Sequence, residues 1–343
     1  MTGAAAFQSP GAETAARRPR VGFLGVGWIG RHRMAAVVEQ GLVDAIGVAD
    51  PSRDCRDAAL ALAPQVHAAA DFDDLLALDL DGLVIATPSA QHAEQAIRAL
   101  DAGVAVFCQK PLGRSADEAA KVVEAARRAD RLLAVDLSYR FTDGMQRIRE
   151  LVREGVLGRV FSCDLTFHNA YGPDKPWFYE PALSGGGCVM DLGVHLVDLA
   201  LWTLGFPEVA RVSSRLMAQG RPLGPAGSKV EDYAIVELEL ETGAIVRLAC
   251  SWRLHAGKEA EISAAFYGVD GGAVMRNVDG SFYNFAAEHL HGVSRRTLAT
   301  PPDAWGGRAI IDWARRLGGG QRFDPACTRL IDTATVLDRI YGR

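Results

Sequence analysis

Short apolar segments alternate regularly with amphipathic segments between residues 20 and 137, and this pattern constrains the fold more than any other feature of the chain. Each apolar segment has the length of a buried strand, and a strand that is apolar on both faces is typical of a parallel sheet. Helices that connect such strands cover both faces of the sheet, so residues 20–137 are predicted to form a doubly wound α/β domain. The predicted strands are 21–26, 43–49, 82–86, 104–108 and 132–137, and the predicted helices are 29–38, 54–63, 90–102 and 115–128.

The second half of the chain has a different pattern. After a predicted helix at 142–154 the apolar segments are longer, alternate in places with polar residues, and are joined by turns such as 241–243. Such segments favour antiparallel strands. Residues 138–324 are predicted to form an α+β domain with a large, mostly antiparallel open sheet. Residues 325–343 are predicted to form a C-terminal helix that packs back on the core, and residues 1–19 a disordered tail.

Bulk composition excludes several classes of protein. A chain of 343 residues exceeds what one hydrophobic core usually serves, which favours two domains. The formal charge of −5, without a long run of either sign, argues against a nucleic-acid surface or a polybasic membrane patch. No segment reaches the roughly 18 apolar residues that a membrane span needs. A small-molecule partner is favoured instead.

Cysteine usage bears on metal binding and on the cellular compartment. The six cysteines form no C-x-x-C pair and no set with the spacing of zinc ligands, so no metal site is predicted. Scattered reduced thiols favour the cytoplasm. Arg17 and Arg18 precede an apolar run, as in a twin-arginine export signal, but that run contains the glycine motif described next and its removal would destroy the motif.

A glycine motif, Gly25-Val26-Gly27-Trp28-Ile29-Gly30, lies between the first predicted strand and the first predicted helix. In this context it predicts a dinucleotide site of the Rossmann type, in which the backbone and the helix N-terminus approach a pyrophosphate. Asp50, about 20 residues further on, is suited to accept hydrogen bonds from the adenosine ribose and to repel a 2′-phosphate. NAD is therefore favoured over NADP. Arg53 is the opposing signal, as a phosphate contact or as a solvated helix residue.

Several residues follow or open elements at the same edge of the predicted sheet. Lys110 comes directly after the strand 104–108, and ligands bind at the carboxyl ends of strands in open parallel sheets. Lys110 is thus either a residue of the cofactor crevice or an ordinary surface lysine. Thr87 and Pro88 end the preceding strand, and Gln91 and His92 open the next helix. All four are predicted to line the nicotinamide end of the crevice.

An almost wholly apolar helix is predicted at 187–202, and it carries Asp191 and His195 four residues apart on one face. Buried without partners, these groups would cost several kcal/mol, about the transfer cost of polar groups, so they are either paired or functional. A histidine serves as acid and base near neutral pH, and Asp191 is suited to fix a substrate hydroxyl or to pair with Lys110. Asp198 is a candidate partner of His195. The alternative is a structural network that holds the helix to the sheet.

These residues together resemble the glucose-fructose oxidoreductase / inositol dehydrogenase / MocA family, over nearly the whole chain after residue 20. The motifs that carry the resemblance are the glycine motif, Ala86-Thr87-Pro88, His92, the segment 102–111, Tyr139-Arg140-Phe141, and Ser184-Gly185-Gly186-Gly187 followed by Asp191, Gly193, His195 and Asp198. The resemblance implies that Lys110, Asp191 and His195 are the catalytic set. Gln109, which is placed with the cofactor-binding residues, stands where the family usually has Glu. Its neutral amide is expected to lower the pKa of Lys110 and to remove an acceptor near the cofactor.

The resemblance also implies an activity, an NAD-dependent transfer of hydride between the nicotinamide and a ring hydroxyl or ketone of a sugar, glycoside or cyclitol. The implied substrate-binding residues, besides Asp191 and His195, are Tyr139, Arg140, His168, Asn169 and Trp177. Two other functions stay open, a redox-neutral NAD-dependent cleavage of glycosides and a non-catalytic NAD sensor. A homodimer or homotetramer is expected from the resemblance.

Overall fold

The computed structural model describes residues 17–224 and 229–343, so most of the predicted tail lies outside the described residues. A first sheet has six parallel strands in the order β3-β2-β1-β4-β5-β6. The strands are β1 (Arg20–Leu24), β2 (Asp44–Ala49), β3 (His67–Ala68), β4 (Gly82–Ile85), β5 (Ala105–Cys108) and β6 (Leu133–Val135). The helices between them are α1 (Trp28–Val38), α2 (Arg53–Leu60), α3 (Phe72–Leu76), α4 (Ser89–Asp101) and α5 (Ala116–Ala129). The doubly wound fold predicted for this region is confirmed.

The first sheet is parallel because its central strands are apolar throughout and are covered by helices on both faces. Every residue of β4 and β5 is buried, and the apolar side chains divide into two clusters on opposite faces. Side-chain caps set where helices begin: the hydroxyl of Ser115 accepts from the Glu118 amide at the start of α5. The elements β3 and α3 were not predicted, since two exposed strand residues and five helical ones carry no periodic pattern.

A second sheet has nine strands in the order β15-β14-β13-β12-β7-β11-β10-β8-β9. Only the β7–β11 pair among these strands is parallel, so the sheet is mixed and mostly antiparallel, as predicted. The strands are β7 (Val160–Asn169), β8 (Val209–Ala218), β9 (Arg221–Pro222), β10 (Tyr233–Leu240), β11 (Ile245–Ser251), β12 (Ala260–Gly268), β13 (Gly272–Asn277), β14 (Phe285–His291) and β15 (Ser294–Ala299). The helices of this half are α6 (Asp143–Arg153), α7 (Pro181–Ser184), α8 (Val194–Thr203), α9 (Arg308–Gly318) and α10 (Arg329–Tyr341).

Helix α9 departs from the predicted domain division. It lies within the range 138–324 assigned to the second domain, yet it packs on α1 and on the first sheet. Trp313 of α9 is fully buried against Phe107 of β5, with ring centroids 5.8 Å apart, and lies directly over Gly82. A side chain at residue 82 would displace the indole, so the glycine allows α9 to pack on the first sheet.

Helix α8 lies in the centre of the molecule. All ten of its residues are buried, which is typical of a helix that is apolar on every side. It contacts α6, α10 and the strands β7 and β11. The C-terminal helix α10 contacts both α5 of the first half and α8 of the second, so it packs on the core and joins the two halves.

Candidate active site

The ammonium of Lys110 and the carboxylate of Asp191 form an ion pair between the two halves of the chain. Lys110 follows β5, and its Nζ donates to Asp191 Oδ1 at 2.6 Å and to the Asp191 carbonyl oxygen at 2.7 Å. The other carboxylate oxygen of Asp191 accepts from Trp252 Nε1 at 3.0 Å. Both oxygens are therefore held, and the pair is mostly enclosed, with 19% and 15% of the side chains exposed. The Lys110–Pro111 peptide is cis.

The turn that carries Asp191 differs from the regular helix predicted for 187–202. Residues Val189–Gly193 form a π-helical turn, in which the Val194 amide donates to the Val189 carbonyl, and α8 begins only at Val194. Buried Glu231 holds the start of this turn, because its carboxylate accepts from the amides of Gly187 (3.0 Å) and Val189 (2.9 Å). Single π-helical turns occur often at functional sites, where they re-aim side chains.

His195, in the first turn of α8, is buried beside this ion pair. The Tyr139 ring meets its imidazole edge-on, with centroids 4.8 Å apart. Burial, and then the positive charges of Lys110 and Arg33, hold the pKa of His195 well below its ordinary value of 6.5. The imidazole is therefore neutral at pH 7. No described side chain hydrogen-bonds to its ring nitrogens, which leaves them available to a ligand.

Asp198 does not pair with His195, contrary to the prediction. Its carboxylate makes a two-pronged ion pair with Arg140, including a bond of 2.7 Å from Arg140 Nε to Oδ2. The guanidinium also lies over the rings of Trp202 and Phe206. Arg140 was expected to bind substrate, but its guanidinium is already occupied by a nearly fully buried carboxylate. This pair anchors α8 to the segment that contains Tyr139.

The glycine motif has the geometry that a pyrophosphate site requires. Gly25 has a positive φ of 81°, and a Cβ on Gly30 would collide with the Gly25 carbonyl oxygen, so only glycine fits both positions. A Cβ on Gly27 would meet open space, and α1 begins without a side-chain cap or an acid in its first turn. Its first amides are thus open to an anion. Ile29 is half-buried, and Trp28 is 56% exposed beside the His32 ring.

Asp50 lies at the end of β2, next to the glycine motif. Its carboxylate accepts from the amides of Val26 at 2.8 Å and Ser52 at 2.9 Å, which fixes its orientation. Arg53 is largely exposed and lies 3.5 Å from the Asp57 carboxylate, so it fits the solvated interpretation better than the phosphate contact. These residues suit a dinucleotide whose ribose hydroxyls donate to Asp50.

The segment between β4 and α4 supports the loop that carries Lys110. Thr87 donates to Gln95 Oε1 at 2.6 Å, and Pro88 precedes the first residue of α4. His92 is buried, and its ring nitrogens lie 2.7 Å from the carbonyl oxygens of Thr87 and Pro111. Burial lowers the pKa of His92, and these two carbonyls oppose that shift. His92 therefore ties two loops together, and both of its ring nitrogens are occupied.

Of the expected substrate residues of the second half, His168 and Asn169 end β7, and Trp177 lies in the short 3₁₀ turn Pro176–Tyr179 that follows it. His168 Nδ1 is 2.8 Å from the Ser251 hydroxyl, and Asn169 Oδ1 is buried without a partner among the described residues. Trp177 stacks on Phe178 at 3.8 Å, and Phe178 meets the edge of Trp252. Beside Trp252 opens a cavity of about 720 Å³. Of the expected set, Tyr139 directly contacts His195.

Four residues of this region were missed by the sequence analysis: Trp252, Glu231, Arg33 and Asp136. Asp136 follows the strand β6 at the same edge as Lys110, so the argument used for Lys110 would have found it. Arg33 interrupts an otherwise apolar face of α1, which is a weaker signal. Trp252 and Glu231 follow or precede strands of the second sheet, and nothing in their local sequence indicates that they reach the π-helical turn.

Comparisons with known proteins agree with this geometry. Residues 19–137 match the model of an oxidoreductase family with an NAD-binding Rossmann fold, and residues 145–274 match the GFO/IDH/MocA C-terminal domain. The fold and the site thus have the features of an oxidoreductase family with an NAD-binding Rossmann fold. Inositol 2-dehydrogenase of Leifsonia xyli subsp. xyli is 31% identical over 252 residues, which cover 72% of this chain and 70% of that protein. The chain belongs to the GFO/IDH/MocA family, as the resemblance indicated.

Other relatives align over a smaller part. D-glucoside 3-dehydrogenase of Escherichia coli K12 is 31% identical over 231 residues, 63% of this chain and 66% of that protein. Levoglucosan dehydrogenase of Pseudarthrobacter phenanthrenivorans is 26% identical over 65% of this chain and 63% of that protein, so the chain aligns with slightly less than two thirds of either relative. A levoglucosan dehydrogenase structure with NADH and levoglucosan superposes with a TM-score of 0.79 at 21% identity, covering 95% of this chain and 97% of that chain, which shows a shared fold.

Within residues 17–224 and 229–343, no helix is both long and apolar enough to cross a membrane. Among the side chains that the structure describes, no group of three or more His, Cys, Asp or Glu is arranged to hold a metal ion.

Proposed function

We propose that this protein is an NAD-dependent dehydrogenase that oxidises a ring CH–OH of a sugar, glycoside or cyclitol, or reduces the corresponding ketone. The observation that carries the proposal is the pairing of the Lys110 ammonium with Asp191 beside the neutral, buried His195. This combination supplies a cationic donor and a free base within one enclosed site. The relatives named as sugar and inositol dehydrogenases support the substrate class.

The roles follow from the protonation states. His195 is neutral and accepts the proton of the substrate hydroxyl as the C–H bond breaks. Lys110 donates a hydrogen bond to the oxygen on which negative charge develops, and Asp191 holds that ammonium in place. Bound NAD would supply the hydride acceptor for the same carbon, so the alcohol would lose a hydride and a proton and become a ketone. The same groups run the reduction in reverse.

Cofactor choice follows from the residues that would hold the adenosine. The amides of the uncapped α1 helix would bind the pyrophosphate, and Asp50 would accept from the ribose hydroxyls. A 2′-phosphate would meet the Asp50 carboxylate, and exposed Arg53 lies beside Asp57 instead of reaching toward that position. We therefore place NAD ahead of NADP.

The assembly and compartment belong to the same proposal. The outer face of the second sheet carries half-exposed Ile235 among charged pairs such as Arg247–Asp164, and the sheet would be covered by another copy of the chain in a homodimer or homotetramer. Gel filtration with light scattering tests this. The six cysteines are free, which fits a reducing cytoplasm, and the acidic net charge fits a protein that binds no nucleic acid.

The activity is tested by incubating the protein with NAD and a panel of sugars, glycosides and inositols while absorbance at 340 nm is followed. Net NADH formation is expected. Release of the glycosidic partner without NADH would favour the redox-neutral cleavage, and binding of NADH without turnover of any substrate would favour a sensor.

Two variants of one type separate mechanism from general damage. Lys110→Met should lower kcat by about 10²- to 10⁴-fold, the usual contribution of a positioned proton-transfer or donor group. Lys121→Met removes a lysine that is paired with Asp117 at 2.6 Å on the exposed face of α5, and it should leave turnover unchanged. Full turnover by the Lys110 variant would overturn the assignment.

A further inference from the structure

A buried cluster of three residues lies next to the proposed catalytic set, and it is called here the Arg33 cluster: Arg33, Gln109 and Asp136. Asp136 Oδ2 accepts from Arg33 Nε at 2.5 Å and also from Gln109 Nε2. Each of the three residues is at most 7% exposed. Gln109 precedes Lys110 directly, and the charge of Arg33 acts on the His195 imidazole. The cluster therefore belongs to the same end of the crevice as the catalytic residues.

The carboxylate of Asp136 decides which way the Gln109 amide points. A carboxylate can only accept hydrogen bonds, so the amide nitrogen of Gln109 must face Asp136 and the amide oxygen must face away. Among the described residues no group donates to that oxygen, and it is not one of the buried polar atoms that lack a partner. It is thus an accessible acceptor with a fixed direction. The second oxygen of Asp136, Oδ1, is buried and unpaired within the described part of the chain.

We propose that Asp136, held by Arg33, is a positioning residue that fixes the Gln109 amide so that its oxygen accepts a hydrogen bond from the nicotinamide half of the cofactor. The donor is a ribose hydroxyl or the carboxamide nitrogen, and the inference rests on the cofactor binding of the proposed function. Gln109 and Asp136 follow β5 and β6, the two strands at one end of the sheet order, whereas Asp50 follows β2 toward the other end. The adenosine half of the cofactor would therefore lie near the end of β2, and the nicotinamide half near the ends of β5 and β6.

A purely structural role explains less of the geometry. A buried Arg–Asp pair alone gives little net stability, because the cost of removing both charges from water offsets their attraction. Leaving Asp136 Oδ1 without a donor adds to that cost. Orientation of the Gln109 oxygen as an acceptor requires the Asp136 carboxylate together with its counter-charge, Arg33. Arg33 without Asp136 would place an unbalanced cation next to His195.

Binding of NADH, followed by quenching of tryptophan fluorescence without any sugar, tests the proposal independently of turnover. Gln109→Leu removes the acceptor and should weaken NADH binding about three- to tenfold, the range for one hydrogen bond. Asp136→Asn frees the amide to turn and should weaken binding by a similar factor. The double variant should be little worse than either single one, because both changes remove the same contact. Additive losses, or no loss in either, would overturn the proposal.

A cofactor analogue distinguishes the two candidate donors, the carboxamide nitrogen and the ribose hydroxyl. The dinucleotide that carries 3-acetylpyridine instead of nicotinamide lacks the carboxamide nitrogen. If Gln109→Leu weakens NADH binding but not binding of the reduced analogue, the carboxamide is the donor; equal losses assign the ribose hydroxyl. Either result supports the proposal. Both binding measurements can be made even if no sugar proves to be a substrate.

A charge-swap series tests the geometry of the cluster through stability. Gln109→Glu places a second carboxylate against Asp136, so the pair should share a proton and one carboxyl pKa should rise. A raised carboxyl pKa stabilises the folded protein at low pH, and the melting temperature of this variant should fall below that of the parent increasingly as pH rises from 5 to 8. Arg33, which donates to Asp136, and the Cys108 thiol, on which the Asp136 charge acts, face the pair. Lys110 follows Gln109 in the chain, and the charges of Lys110 and Arg33 act on His195.

Reversal of the two groups supplies the control. Gln109→Glu combined with Asp136→Asn keeps the net charge, and the new asparagine amide can donate to the new glutamate carboxylate. The extra pH dependence of the melting temperature should therefore disappear. The NADH dissociation constant should return to within about twofold of the parent value, a smaller change than the loss of one hydrogen bond causes. Gln40→Glu adds the same charge at an exposed position and should show neither effect. Normal pH behaviour of the swap with NADH binding still lost would show that the cluster serves folding alone, which would refute the positioning role.

Discussion

Replacement of Trp252 by phenylalanine tests whether the orientation of Asp191 matters for turnover. The indole Nε1 donates to Asp191 Oδ2 at 3.0 Å, and this is the only contact of that oxygen among the described residues. Phenylalanine keeps a ring against Phe178 and Tyr179 but has no donor. The carboxylate would then be held through Oδ1 alone, by Lys110.

The size of the effect follows from the type of bond. A hydrogen bond to a charged group contributes about 1.5–3 kcal/mol, which corresponds to roughly a 10- to 150-fold change in rate if all of it is expressed in the transition state. Because Lys110 still holds the other oxygen, we expect the lower end of this range, about a tenfold loss in kcat/KM. NADH affinity should not change.

The assay compares Trp252→Phe with Trp313→Phe. Trp313 is also fully buried, but its indole nitrogen has no partner among the described residues, so the second variant loses ring volume without losing a hydrogen bond. Both variants should melt at a lower temperature than the parent, since each leaves a cavity. Only Trp252→Phe should lose kcat/KM. If Trp252→Phe changed kcat/KM less than twofold, the indole would not orient Asp191 and the reasoning would fail.

Three further outcomes are expected. The folded pKa of His195 is depressed and its neutral form is the base, so kcat/KM should stay level from pH 8 down through 6.5 and fall only well below that; an acid limb centred at or above 6.5 would contradict the assignment. Asp50→Ala should weaken NADH binding about tenfold or more and shift preference toward NADPH, measured as dissociation constants for both; unchanged preference would remove Asp50 from the ribose site. Glu231→Gln places an amide nitrogen against the backbone amides that donate to the carboxylate in the parent. The free energy of unfolding, measured in urea, should fall by about 1–3 kcal/mol. No loss would mean that the turn does not depend on this contact.

The central strands of the first sheet, β1, β4 and β5, were predictable because they are buried almost throughout, so their identity depends on local sequence alone. The strand ends also located Lys110, since the carboxyl ends of parallel strands meet at one edge. The strands β13 to β15 and helix α9 were not predicted. Residues of β15 are mostly exposed, and α9 packs on a sheet formed more than 170 residues earlier in the chain. The exposed residues of β15 carry no local pattern. Helix α9 does carry one, since its buried residues Ala309, Ile310, Trp313 and Ala314 repeat at helical spacing, and the first four residues of β13 are buried, so both elements were predictable from local sequence.

The partner of Asp198 shows why pairing was harder to predict than placement. Spacing of three residues on one helix puts Asp198 within reach of His195, so the sequence favoured that pair. The structure pairs Asp198 with Arg140 instead, from a segment 58 residues earlier. A charged group in a helix that is buried on every side takes its partner from whichever element packs against it, and that depends on the tertiary arrangement.

The bond between Lys110 and Asp191 connects the two halves of the molecule, and this links catalysis to their arrangement. Lys110 is fixed by β5 of the first sheet, whereas Asp191 is fixed by Trp252 and by the turn that Glu231 holds, both in the second half. The bond is 2.6 Å long, so a separation of the two halves by only about 1 Å would take it beyond hydrogen-bond range. Lys110 can therefore donate to a developing alkoxide from its observed position only while the two halves keep this spacing. In the proposed mechanism, contacts far from the reacting atoms, such as those of α10 with α5 and α8, would contribute to catalysis by maintaining this spacing.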